Sequence, residues 1–157
     1  MADRGEAALP SGLEKLQRTL GYTFRDPSLL EQALTHRSFA HEHPPARDNE
    51  VLEFLGDAIL GFLVADQLAL RFPDEGEGGL TERRALLVSG KTLARWARDL
   101  GLEAHLRLGR GEDLTGGREK ESILGGALEA VVAAVYRDGG LDAARELVGR
   151  FVARSIE

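Results

Sequence analysis

The stretch "DNEVLEFLGDAILGFLVADQLALRF", Asp48 to Phe72, decides the fold. Its apolar residues Val51, Leu52, Phe54, Leu55, Ala58, Ile59, Phe62, Leu63 and Leu68 recur at spacings of three and four, the period of a helix that turns one face to a core. Asp48 or Asn49 can cap its start, and Pro73 sets its end. Within this helix Glu50, Glu53 and Asp57 lie at i, i+3 and i+7, so at about 100° per residue they project from nearly one face. Acidic helix faces commonly interleave Lys or Arg one turn away, which offsets repulsion, yet no Lys or Arg occurs from Asp48 through Leu70. A solvated surface stays open as the explanation on spacing alone. The alternative is a cation held among the carboxylates, and hard oxygen donors point to Mg²⁺ or Mn²⁺.

Working outward, the spacing predicts helices on both sides. Leu13, Leu16 and Leu20 form an apolar stripe, with Ser11 and Glu14 in capping-box positions and Gly21 as a stop. Asp26 followed by Pro27 reads as a cap and first helical residue for a helix through Leu34 that ends near His36. Ala40 to Asp48, with Pro44 and Pro45, reads as loop, and so does Pro73 to Gly79, after which Thr81 can cap another helix. Leu93, Trp96, Ala97 and Leu100 mark a further helix closed by Gly101. Gly109 to Gly117 reads as loop, Glu119 to Tyr136 is helical, and Gly139-Gly140 separates it from a last helix through Ile156. No alternating, β-branched run suggests a strand. The expected fold class is all-α, a single helical bundle spanning residues 11–157 behind a flexible N-terminus, residues 1–10.

Composition narrows the function classes. A chain of 157 residues can bury roughly 70% of its unfolded surface without disulfides or a structural metal. It has no Cys, which excludes thiolate metal sites and thiol nucleophiles and fits a reducing cytosol. The longest apolar run, Ala58 to Ala65, is far short of a membrane span, so no membrane partner is expected, and the polar start carries no secretory pattern. The net charge of −6 would argue against a nucleic-acid partner, but it is unevenly spread. Residues 41–80 hold two basic and nine acidic side chains, whereas residues 81–120 hold nine basic and six acidic. A polyanion could be gripped by the second stretch if divalent cations neutralised the first.

Glu129 lies among Ile123, Leu124, Leu128, Val131, Val132 and Val135. A lone acid in so apolar a helix must be paired or coordinated if buried. On its own it fits a helix rim or a partner Arg; taken with the Glu50, Glu53, Asp57 stripe it can complete a carboxylate cage across two helices. Gly125 and Gly126 sit inside the same helix at a cost of about 1 kcal/mol each relative to Ala, which suggests close packing or a lost side chain.

Asp48 to Leu60, "DNEVLEFLGDAIL", resembles the signature of ribonuclease III, with Val51 where the family usually has an Arg or similar residue. "ALTHRSFA" (Ala33 to Ala40), "EGGLTERRALLVSGKTLARWA" (Glu77 to Ala97), "LRLGRGE" (Leu106 to Glu112) and "GGREKESILGGALEAVVAAVYRDGG" (Gly116 to Gly140) are similar to further blocks of its nuclease domain, in the same order. The resemblance covers about residues 11 to 155. It implies an all-helical, metal-dependent endonuclease domain that cleaves double-stranded RNA in the cytoplasm as a homodimer, leaving 5′-phosphate and 3′-hydroxyl ends. By position, Glu53, Asp57 and Glu129 match the family's metal ligands, with Asp57 and Glu129 catalytic, while Glu50 and Glu77 match further cleft carboxylates. Phe54 matches an apolar dimer contact, although helical spacing alone favours core packing for it. Arg107, Arg110, Arg118 and Lys120 are candidates for phosphate contact, which positions a duplex without reading its sequence.

Two departures matter. Three residues before Glu129 the family carries an Asp; this chain has Gly126, so the cage is one carboxylate short. Water in the vacant position, weaker metal affinity and loss of turnover are all consistent with that. The chain also stops near the end of its last helix, and no double-stranded-RNA-binding domain is expected within it. The rival readings are a ribonuclease III-like dimer that binds duplex RNA without cutting it, and another carboxylate metalloprotein. A di-iron bundle is disfavoured, because none of His36, His41, His43 or His105 has a Glu three residues before it. An all-α nucleotide pyrophosphohydrolase would attack nucleoside triphosphates and leave duplex RNA intact. His41 and His43 in "HEHPP" could hold a transition metal but read better as a polar loop, and His36 reads as a residue that shapes its helix end or meets RNA rather than as a base.

Overall fold

The computed structural model describes residues 12–156, so Ser11 and the expected flexible segment at residues 1–10 lie outside the described residues. Among the described residues nine α-helices follow one another: α1 Leu13–Leu20, α2 Pro27–Ala33, α3 Arg37–Glu42, α4 Glu50–Arg71, α5 Glu77–Leu87, α6 Gly90–Asp99, α7 Arg110–Leu114, α8 Glu121–Gly139 and α9 Leu141–Ile156. Two short 3₁₀ turns, Leu102–Ala104 and Gly117–Glu119, join the later ones. The only pairing of extended backbone among the described residues is an isolated bridge between Thr35 and Arg107.

α8 is the axis of the bundle. From Leu124 to Val135 every residue except Glu129 is buried, because α2, α4, α6 and α9 all pack against it. A helix apolar all round is stable only when neighbours cover every side. α4 is different: Leu52, Ile59, Leu60, Leu63, Val64 and Leu68 join the core, whereas Val51, Phe54, Phe62 and Leu70 stay exposed.

Local chemistry explains most boundaries. The Asp26 carboxylate accepts from the Ser28 amide at 3.1 Å and Pro27 opens α2, as the sequence predicts. Asn49 ends the loop before α4, its buried side chain donating to the Ala33 carbonyl at 2.9 Å, while Asp48 accepts from the Glu50 amide at 3.0 Å. Gly21 and Gly101 take positive φ at the ends of α1 and α6, which suits glycine. Asp138, near the end of α8, accepts from the Tyr22 hydroxyl at 2.6 Å and from the Arg25 and Asp26 amides at 2.8 and 2.9 Å, tying the α1–α2 connection to the central helix.

Several boundaries differ from expectation. α5 starts at Glu77, behind Gly76, so Thr81 lies inside the helix rather than capping it. Ser89 caps α6 by accepting from the Thr92 amide at 3.2 Å. α3 occupies part of the expected loop from Ala40, and α7 part of the expected loop from Gly109. α3 forms because the His36 ring nitrogen Nδ1 accepts from the Ser38 amide at 3.2 Å, a cap that side-chain periodicity does not reveal.

Candidate active site

Two crossing helices build the site. A Cβ placed on Gly56 of α4 would lie 1.8 Å from the Glu129 carbonyl oxygen of α8, so the absence of a side chain at residue 56 is what lets the two backbones touch. One turn earlier, a Cβ on Gly126 would lie 2.8 to 3.0 Å from the carboxylate of Glu53. Residues 53 and 56 therefore meet residues 126 and 129 in the same order along both helices. That register sets Asp57 beside Glu129.

The electrostatics follow from this approach. The Glu129 carboxyl is pushed up to about 8, first by burial, then by a hydrogen bond with the Asp57 carboxyl and by the negative charges of Asp57 and Glu53. Glu53 is also raised, by burial and then by Glu50 and Asp57, with Arg37 opposing. Glu53, Asp57 and Glu129 thus feel one another. As they stand, however, no three His, Asp or Glu side chains among the described residues converge closely enough to hold a metal ion.

The donor chemistry nonetheless fits a hard divalent cation. All three groups are carboxylates, and the Glu53 carboxylate lies over the cradle left by Gly126. Beside them a cleft of about 240 Å³ is lined by His36, Arg37, Asn49, Glu50, Glu53, Ser122 and Ile123. Through Arg37 and Glu50 it adjoins a wider depression of about 940 Å³ that reaches Gly109 and Glu112. Glu50 is exposed and 3.6 Å from the Arg37 guanidinium. Glu77 is exposed at the start of α5, beyond the far end of α4, and is not among the charges that shift Glu53 or Glu129.

The basic residues divide sharply. Arg107 pairs with Glu31, and its guanidinium lies 4.2 Å from the Phe39 ring centre. Arg118 binds Asp113 at 2.9 Å and donates to the Glu103 and Leu106 carbonyls at 2.9 and 2.7 Å. Lys120 pairs with Glu112 at 3.1 Å, which draws the Glu112 carboxyl below its usual range. The Arg110 amide donates to Glu42, whereas no ion pair holds its side chain among the described residues. Arg37 and His36, which line the cleft, were not singled out as site residues from the sequence; their place in the "ALTHRSFA" block is the signal that could have found them. Phe54 projects from α4 with 80% of its surface exposed, so core packing does not account for it.

A family profile described as Ribonuclease-III-like matches residues 26–156. The chain belongs to the ribonuclease III family. Ribonuclease 3 of Symbiobacterium thermophilum is 53% identical over 138 residues, which cover 88% of this chain and 58% of the relative. Ribonuclease 3 of Pseudomonas fluorescens is 52% identical over 145 residues, 92% of this chain and 61% of the relative. The chain thus spans about 60% of the length of such ribonuclease III relatives. Among solved structures, the nuclease domain of ribonuclease III from Campylobacter jejuni superposes with a TM-score of 0.85 at 39% identity, covering 92% of this chain and 96% of that domain. A second structure of that nuclease domain concerns flexibility in a region involved in its dimer formation. The ribonuclease III fold therefore accounts for the whole bundle described above, as the all-α expectation required.

Proposed function

We propose that this chain is the endonuclease domain of a metal-dependent ribonuclease that hydrolyses phosphodiester bonds in double-stranded RNA, acts as a homodimer in the cytoplasm, and leaves 5′-phosphate and 3′-hydroxyl ends. The observation that carries this reading is the close crossing of α4 and α8, where Gly56 meets the Glu129 carbonyl and the Glu53 carboxylate lies against Gly126, so that carboxylates from two helices share one site. Glu53, Asp57 and Glu129 would hold Mg²⁺, with Mn²⁺ able to substitute, and Asp57 and Glu129 would be the catalytic pair. When bound, the ion supplies Lewis acidity toward the phosphate and lowers the pKa of water. Glu50 would extend the acidic lining, and Glu77, at the start of α5, would be a further cleft carboxylate away from these three. Arg110 and the loosely paired Arg37 would neutralise phosphates; Arg107, Arg118 and Lys120 would reach RNA only by sharing their internal partners.

The dimer reading draws on α4. Val51, Phe54 and Phe62 are exposed apolar side chains on one long helix, beside a groove of about 490 Å³ lined by Leu29, Val51, Leu55 and Arg137. An exposed aromatic next to a groove with an apolar floor of Leu29, Val51, Leu52 and Leu55 and a polar rim of Gln32, Arg47, Asp48 and Arg137 suits a second copy, in which each Phe54 enters the other's groove. No helix among the described residues is long and apolar enough to cross a membrane. Gly126 favours a second reading, a dimer that binds duplex RNA without cutting. Incubation with labelled duplex RNA in Mg²⁺, Mn²⁺ or EDTA separates the two: metal-dependent fragments support hydrolysis, and shifted but intact RNA supports binding alone. Cleavage of nucleoside triphosphates with duplex RNA left whole would overturn both.

A further inference from the structure

His36 lines the cleft beside Glu53, and its ring is held from several sides. Its amide donates to the Arg107 carbonyl at 3.0 Å, next to the isolated bridge between Thr35 and Arg107. Its Nδ1 accepts from the Ser38 amide at 3.2 Å and lies 2.8 Å from the Ser38 hydroxyl. That hydroxyl accepts from the Gly109 amide at 2.7 Å, which leaves its own proton free to point at Nδ1. Gly109 comes so near because it has no side chain: a Cβ there would lie 2.7 Å from the Ser38 carbonyl oxygen. An amide can only donate, so Nδ1 keeps its lone pair and the neutral ring carries its proton on Nε2. Burial, the largest influence, pushes the ring below its ordinary 6.5; Arg37 acts the same way, while Glu112, Glu50 and Asp48 oppose.

One chemistry is left to this ring. The Nδ1 lone pair is engaged at the start of α3 and the protonated Nε2 has none to offer, so His36 is neither a metal ligand nor a general base. Its Nε2–H is a donor without a hydrogen-bond partner among the described residues, and it is not sealed from solvent. Of the cleft's other donors, Asn49 is spent on the Ala33 carbonyl and Arg37 sits 3.6 Å from Glu50. A donor fixed before its ligand arrives gives up little freedom on binding. We propose that His36 is an RNA-contacting residue, its Nε2–H donating inside the cleft to an oxygen of the duplex backbone, either a non-bridging phosphate oxygen or a ribose 2′-hydroxyl. The inference rests on the duplex-RNA reading above. Ser38 and Gly109 are then positioning residues, which aim the ring without touching RNA.

Two near-isosteric variants separate contact from support. In His36→Asn the side-chain oxygen takes the place of Nδ1 and keeps the α3 cap, while the distal donor is gone. In His36→Gln the amide nitrogen reaches the place of Nε2, while the cap is lost. Fluorescein-labelled duplex RNA is titrated with the whole chain at about pH 8 in Ca²⁺, an oxygen-seeking divalent cation like Mg²⁺; a denaturing gel verifies that the RNA stays intact, and anisotropy reads binding. His36→Asn should weaken binding about fivefold or more, with Tm within about 1 °C of the parent and the salt slope unchanged because no charge is removed. His36→Gln should bind within about twofold of the parent although its Tm falls by about 2–4 °C. Should His36→Gln fail to fold, His36→Asn decides alone. A 2′-deoxy-substituted duplex identifies the acceptor: a smaller effect of His36→Asn there supports the 2′-hydroxyl, and an equal effect supports the phosphate oxygen. Binding by His36→Asn within about twofold of the parent, a loss matched by a fall in its Tm, a shallower salt slope, or His36→Gln as weak as His36→Asn would overturn the proposal and leave the duplex-RNA reading standing. No binding of duplex RNA by the folded parent would overturn both.

Discussion

The contact between Gly56 and Glu129 makes a demanding prediction, because two effects of opposite sign compete there. Replacing a mid-helix Gly by Ala ordinarily stabilises a helix by about 1 kcal/mol. At residue 56 the new Cβ would lie 1.8 Å from the Glu129 carbonyl oxygen, more than an ångström inside ordinary contact. That obstacle is main chain and cannot rotate aside, so α4 and α8 must separate along the contact that aligns the acids. Overpacking of this kind costs roughly 1–3 kcal/mol and occasionally more. With backbone rather than a flexible side chain in the way, the upper part of that range applies, leaving a net loss of about 2 kcal/mol after the helix gain. For a domain of this length that lowers Tm by roughly 4–8 °C. Gly125→Ala is the control, since its Cβ would meet Leu93 at an ordinary 3.5 Å; it should raise Tm by roughly 1–4 °C. Thermal and urea unfolding in EDTA, followed by circular dichroism, reads both. A Gly56→Ala protein as stable as the parent would refute the claim that this glycine brings the carboxylates together.

Other expectations are narrower. Because Glu129 is held near 8 in the fold against an ordinary 4.5, its contribution to the stability of the metal-free protein should be complete below pH 4.5 and be lost as pH rises toward 8. The whole shift corresponds to about 5 kcal/mol, which half-exposure of the group cuts to the order of 1–2 kcal/mol. Urea unfolding of the parent and Glu129→Gln at pH 5, 6.5 and 8 in EDTA should show the parent losing stability relative to the variant as pH rises; a constant difference would contradict the raised Glu129 carboxyl. Phe54→Asp should weaken self-association at least a hundredfold by sedimentation while leaving far-UV circular dichroism unchanged, since two copies each lose roughly 2 kcal/mol of aromatic burial; an unaltered dimer would place the interface elsewhere. Arg110→Gln should reduce the salt slope of duplex-RNA binding by about 0.9 with Tm unchanged, whereas Arg107→Gln should lower Tm through loss of its Glu31 and Phe39 contacts. The opposite pattern would reassign the two arginines.

The long helix was readable because everything that defines it is local: apolar spacing, an Asp-Asn start and a Pro beyond its end. α5 was misplaced for the same reason. Gly76, Gly78 and Gly79 read as loop, and the helix that nevertheless begins at Glu77 is held by packing against α4 that no local pattern encodes. The one-face spacing of Glu50, Glu53 and Asp57 was equally legible, and so was the oddity of Glu129 in an apolar helix. What stayed hidden is the register between α4 and α8, which depends on Gly56 meeting the carbonyl of a residue far along the chain. The internal commitments of Arg107, Arg118 and Lys120 were hidden too, because their partners at Glu31, the Glu103 and Leu106 carbonyls and Glu112 become neighbours only in the folded chain. Composition can locate a basic stretch; it cannot say which of its cations are already spoken for.

The most direct test of the account is the rate of duplex-RNA cleavage across a Mg²⁺ titration, for the parent chain and for Glu129→Gln. A carboxylate pair contributed by α4 and α8 requires that cleavage be absent in EDTA, rise saturably with Mg²⁺, and fall at least a hundredfold in Glu129→Gln with the fold intact. Cleavage that persists in EDTA, or a Glu129→Gln rate within threefold of the parent at every Mg²⁺ concentration, would contradict it.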